Sequence, residues 1–166
     1  MRYKFIGADS LLPVIALVCG DLDITVADAD EDIAVTVEST DESMLSVALD
    51  KNSAAITYGG GTSRFLRSLA TLNGWLREDK KQGNVREFTH FDTNGSMLDM
   101  SRHAVMKVDT VKYVLRKMAL MGLNMFMLYT EDTYEIEGRP YFGHMRGRYS
   151  HDELRELDSY ASTLGI

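Results

Sequence analysis

The sequence is poor in several things, and each lack excludes something. Its 166 residues include one cysteine, Cys19, and two prolines. A lone thiol forms no intrachain disulfide, so the chain fits a reducing compartment, or an outside protein that needs no bridges. Cys19 lies in the apolar run LLPVIALVC and reads as a small buried hydrophobe. Arg2 and Lys4 precede that run, as they would precede a signal segment. But the run is short, Asp9 interrupts its approach and Pro13 sits inside it. No targeting segment and no membrane partner are expected, and the expected location is the cytoplasm. Basic residues are outnumbered: 18 Lys and Arg face 25 Asp and Glu, a net charge of −7. That balance argues against a nucleic-acid partner held through its phosphates.

Familiar site motifs are lacking too. His90, His103, His144 and His151 are scattered, with no H-x-x-x-H and no cysteine–histidine spacing. Asp28, Asp30 and Asp32 alternate like the opening of a calcium loop. Ile33 and Ser39 stand where that loop needs glycine and glutamate. The run GGGTSR (59–64) has neither the Walker lysine nor G-x-G-x-x-G spacing, and reads as a flexible strand-to-helix turn. There is no G-x-S-x-G elbow. No metal and no cofactor are expected.

What is present falls into two grammars. The first half reads as α+β. MRYKFIG (1–7) predicts a strand, and Asp9 or Ser10 a cap for a helix over 11–20 with Pro13 in its first turn. IAVTVES (33–39), MLSVALD (43–49) and SAAITYG (53–59) predict an antiparallel meander. Phe65, Leu66, Leu69, Leu72 and Leu76 share one helical face. The polar DKKQGN (79–84) ends that helix, and REFTHFD (86–92) predicts a further strand.

The second half predicts β-α-β-loop-α. SMLDM (96–100) is an apolar strand, 109–121 a helix stopped by Gly122, and NMFMLY (124–129) a parallel strand buried on both faces. An aromatic loop (130–149) leads to the capping box Ser150–Glu153 and a last helix ending at Gly165. These are consecutive βα units. Two such units leave an open edge at MFMLY. The expectation is the front part of a longer protein, or a sheet completed by a second copy as a homo-oligomer.

Two places stand out for chemistry: Asp99 and Arg102 after one parallel strand, and Glu131 and Asp132 after the next. Carboxyl ends of parallel strands carry sites. A guanidinium beside carboxylates, with Tyr129, Tyr134, Tyr141 and Phe142 near in sequence, suits a polyhydroxy ligand. The bland alternative is that Arg102 merely ties strand ends together through Asp99 or Glu131.

At these residues a resemblance enters. MLDMSRH, VDTVKYVLRKMALMGLN and MFMLYTED resemble the opening of the catalytic barrel of glycoside hydrolase family 20, the β-N-acetylhexosaminidases. YTEDTYEIEGRPYFGHMRGRYSHDEL looks closer to a bacterial branch of that family than to its lysosomal enzymes. The likeness covers about 95–166, and the stretch before it resembles, more loosely, the small domain preceding that barrel. The resemblance implies an α+β accessory domain over 1–92, then α/β over 93–166, the first two βα units of a truncated (β/α)8 TIM barrel. It implies removal of terminal N-acetylglucosamine or N-acetylgalactosamine from an amino-sugar glycan substrate. The substrate's acetamido oxygen would attack the anomeric carbon, a glutamate would protonate the leaving oxygen, and an aspartate would orient the acetamido group. It implies that Arg102 holds sugar hydroxyls. It also implies that Glu131 and Asp132 match the family's supporting acid pair, with glutamate in place of the first aspartate. Asp30–Glu31, Asp41–Glu42 and Asp152–Glu153 follow no barrel strand, so no catalytic residue is assigned in this chain, and hydrolysis by it is not expected.

Overall fold

The computed structural model describes residues 1–166. In chain order the elements are β1 (Arg2–Ile6), a 3-10 turn (Asp9–Leu11), α1 (Leu12–Leu22), β2 (Thr25–Val26), β3 (Ile33–Ser39), β4 (Met44–Asp50) and β5 (Ser53–Tyr58). They continue with α2 (Thr62–Arg77), β6 (Gln82–Phe88), β7 (Gly95–Asp99), α3 (Val108–Leu120), β8 (Met125–Tyr129) and α4 (His151–Leu164). Six strands form one mixed sheet, ordered β2-β1-β3-β5-β4-β6; β7 and β8 form a separate parallel pair. No barrel closes. No helix is long and apolar enough to cross a membrane.

The large sheet is not the expected meander. β3 pairs in parallel with β1 on one side and β5 on the other, while β4 lies beyond β5, antiparallel to it. The connection from β3 to β4 therefore crosses the end of β5. Gly59 makes the crossing possible: a Cβ there would sit 2.0 Å from the Glu42 carbonyl oxygen and 2.4 Å from that of Thr40. Hydrogen bonds from Thr40 N to Tyr58 O and from Gly59 N to Met44 O seal it. Alternation in β3 turns Ile33, Val35 and Val37 into the core and leaves Thr36 and Glu38 exposed.

Other expectations shift in detail. Asp9 and Ser10 do not cap the first helix; they form a 3-10 turn, and Leu11 precedes α1 without a side-chain cap. Pro13 does lie in its first turn. β6 begins at Gln82, inside the polar stretch read as a helix end, and finishes at Phe88. Gly83 fits there because the Trp75 ring lies against it, 2.8 Å from where a Cβ would stand. β8 is not buried on both faces: Met127 is about half exposed, and only the Phe126 and Leu128 side packs on the core. Cys19 is half-buried. The Ser150–Glu153 capping box forms as read, with each residue's side chain accepting from the other's backbone N–H.

Helix α2 joins the parts. Phe65, Leu66, Leu69 and Leu72 are fully buried, and the helix touches β4, β5, α1, α3 and α4. Asp21, at the end of α1, adds an ionic tie. Its almost buried carboxylate meets Arg116 and Lys117 of α3, and Arg116 also donates to the Tyr160 hydroxyl of α4 at 3.1 Å. Burial pushes the Asp21 carboxyl up, but hydrogen bonds from Lys117 and Arg116, with their charges, outweigh it and hold it below the usual range.

Gly59→Ala is expected to lower unfolding free energy by about 3 kcal/mol, because the Cβ meets backbone that cannot step aside. Gly74→Ala, in open space on α2, is expected to raise it by about 1 kcal/mol. Urea unfolding measures both. Asp21→Ala is expected to cost about 2 kcal/mol by stranding two cations. A depressed carboxyl stabilises above its unfolded pKa, about 3.9. This contribution is lost as pH falls through the lower folded value, so acid unfolding curves of Asp21→Asn should lack that component.

Candidate functional site

β7 and β8 run parallel with Asp99 opposite Tyr129, so both strands end at one level. Asp99 organises the turn that follows. Its Oδ1 accepts from Ser101 N at 2.8 Å, Ser101 Oγ at 2.8 Å and Arg102 N at 3.2 Å; Oδ2 accepts from Arg102 Nη1 at 2.7 Å. The Ser101 N–H and hydroxyl are the main cause of a carboxyl held down at about 2, with Arg102 adding to them. The turn forms because a short carboxylate reaches the backbone two residues on.

Arg102 is thus clamped at one nitrogen. Its side chain is otherwise 65% exposed, and Nε and Nη2 have no partner in the chain. The guanidinium lies 5.5 Å from the centre of the Tyr129 ring, a cation–π contact. The Tyr129 hydroxyl donates to Glu131 Oε1 at 3.2 Å. Arg102 and Glu131 therefore share a rim, with Tyr129 between them. Below Asp99 and Tyr129 on the same strand face lie Met97 and Met127, paired in register and about half exposed. The rim therefore carries a cation and two acids beside two half-exposed methionines.

Asp132 takes no part in this cluster. It pairs with Arg146 at 2.9 Å, across the long loop. Gly143 lets the loop return: its φ is +64°, and a Cβ would stand 1.9 Å from the Asp132 carbonyl oxygen. Tyr134 packs edge-on against Phe142 and bridges to Tyr149, while Arg148 donates to the Phe142 carbonyl. Tyr141 is 80% exposed beside His144. Of the four aromatic residues picked from the sequence, Tyr129 alone stands at the rim. Arg146 escaped sequence reasoning, because nothing in MRGRY marks which arginine faces an acid fourteen residues earlier. No three His, Cys, Asp or Glu side chains group as metal ligands.

No protein-family profile matches the sequence, and no curated protein matches it. Solved structures do. The GH20 exo-β-N-acetylglucosaminidase of Vibrio harveyi, in complex with N-acetylglucosamine, matches with a TM-score of 0.75 at 20% identity, over 99% of this chain and 31% of that one. The chain carries the fold of GH20 β-N-acetylhexosaminidases. The enzyme from Streptomyces coelicolor A3(2) matches with a TM-score of 0.76 at 16% identity, over 100% of this chain and 40% of that one. A mutant β-hexosaminidase of Streptomyces plicatus, in complex with its product GlcNAc, matches at 0.73 and 17%, over 99% and 40%. The GH20 likeness runs through the six-stranded sheet as well as the β7–β8 unit. The chain spans 31% to 40% of the length of these structures.

Carbon-detected NMR is expected to show the Asp99 carboxyl titrating near pH 2. In Ser101→Ala it should move toward the ordinary value near 4, because a hydroxyl donor to the charged form is gone.

Proposed function

We propose that the chain is the amino-terminal part of an exo-β-N-acetylhexosaminidase: an α+β accessory domain over 1–92, and the first two βα units of a (β/α)8 barrel over 93–166. The observation that carries this reading is the rim itself, Arg102 with a free fork edge and Glu131 beside it, on a fold shared with GH20 enzymes. The planar fork is suited to two neighbouring hydroxyls of a terminal amino sugar. Glu131 is suited to hold a group at the reaction centre, and Tyr129 sets the distance between acid and cation. Asp132, tied to Arg146, acts one step back by fixing the loop that borders the rim.

In this reading hydrolysis is substrate-assisted. The acetamido oxygen attacks the anomeric carbon, a carboxylic acid protonates the departing oxygen, and water later opens the ring so formed, with retention. The proton donor and the acetamido-orienting acid come from outside residues 1–166. Asp152 and Glu153, the last Asp–Glu pair, are occupied at the start of α4, where acids favour the helix dipole. The chain alone is inactive.

Titration with N-acetylglucosamine, followed by tyrosine and Trp75 fluorescence, is the test. Weak saturable binding is expected, about ten- to a hundredfold weaker in Arg102→Ala, the loss of hydrogen bonds to a charged donor. No response in either protein, or identical affinities, defeats the reading. Turnover of an aryl N-acetylglucosaminide by the purified chain would defeat the claim of inactivity. A second reading, self-association through the β7–β8 pair, draws on its two unpaired edges. Sizing chromatography over a wide concentration range decides it, and a monomer throughout removes it.

A further inference from the structure

A cavity of about 310 Å³ opens at the opposite end of β7 and β8, between the two sheets. Arg64 and Arg67 reach it from α2, Glu87 from β6, and His90, Phe91 and Asn94 from the segment leading into β7.

Arg64 is the residue that needs explaining. It is only 9% exposed, yet no carboxylate pairs with it. Nη1 donates to Ser43 Oγ and to the Gly59 carbonyl, each at 2.8 Å. Nε and Nη2 take no partner and neither is sealed from solvent, and Arg64 is one of the residues that line the cavity. The seat is built for it: a Cβ at Gly60 would stand 1.6 Å from Nη1. The acids alongside are committed. Glu42 pairs with Arg86, and Glu87 holds Arg67 through both oxygens, at 2.7 and 2.9 Å.

An arginine's charge is permanent, and enclosing a cation without a counter-charge is unfavourable. Here two guanidinium groups share one cavity with one carboxylate, in a chain whose net charge is −7. A purely structural anchor for the Ser43 and Gly59 backbone turn needs no charge; a neutral amide would serve. We propose that this cavity binds the anionic group of a small sugar acid or sugar phosphate, with the free edge of Arg64 as its fork. Phe91, 70% exposed, offers an apolar face for the ring, and the Asn94 side chain, without a partner of its own, offers hydrogen bonds for hydroxyls. The site stands apart from the Arg102 rim and does not depend on the function proposed for it.

The test is an amide NMR titration of the whole chain in low-chloride buffer, with glucuronate, glucose 6-phosphate and glucose. Saturable shifts are expected around residues 59–64 and 87–94 with at least one anion and not with glucose. Whichever anion binds more tightly identifies carboxylate or phosphate as the natural group. Arg64→Gln is expected to weaken binding at least tenfold. Glu87→Gln, which removes the cavity's one carboxylate, is expected to tighten it about fivefold, a gain that a structural role for Arg64 does not give. No saturable shift through the millimolar range overturns the proposal. So does an equal response to glucose, or an unchanged affinity in Arg64→Gln. Should Arg64→Gln fail to fold, Glu87→Gln decides alone, and unchanged or weaker binding overturns the proposal.

Discussion

Helix α2 has two apolar contacts to satisfy, one against β4 and β5 and one against α3 and α4. A helix buried on two sides cannot turn without exposing one of them. Its four fully buried large residues, Phe65, Leu66, Leu69 and Leu72, therefore fix where the small parallel unit sits against the large sheet. The Asp21 cluster and the Arg67–Glu87 pair work around the edge of that contact. Arg67 also donates to the Met121 carbonyl at 3.2 Å, so α2, β6 and the end of α3 meet at one side chain. The strand ends that carry Arg102 and Glu131 inherit their position from this packing.

The sequence made the helices and the second half readable because their signals are local. A capping box, a stop glycine and a one-sided apolar stripe act within a few residues, and the structure has all three in α4, α3 and α2. The order of the strands is not a local property. Three alternating stretches with short turns suit a meander as well as a sheet in which one strand is inserted. The inserted order needs the close approach at Gly59, and a glycine does not announce which backbone will pass over it. The start of β6 is hidden for a similar reason: polar residues there face outward from an edge strand, and composition alone reads them as loop.

At the rim, the sequence indicated which strand ends matter, since parallel strands expose their carboxyl ends side by side. It left open which charges would pair. Asp99 lies three residues from Arg102, and the turn between them brings the two together. The link through Tyr129 depends on register, and the diversion of Asp132 to Arg146 depends on how a twenty-residue loop folds back. Arg64 was hidden for another reason: in the sequence it is one polar residue in the first turn of a helix, and its near-complete enclosure arises only when β4, β5 and the glycine turn close around it.

The strand inserted between β3 and β4 also bears on the order of assembly. β4 and β5 are joined by a two-residue turn at Lys51 and Asn52, with Lys51 in the left-handed region. Such a hairpin closes on a microsecond scale without help from distant chain. β3 takes β5, and not its sequence neighbour β4, as its second partner, and β6 returns after α2 to cover the far side of β4. The slow steps of folding then fall on the pairings of greatest sequence separation, and the β4–β5 contact is the most local one in the sheet.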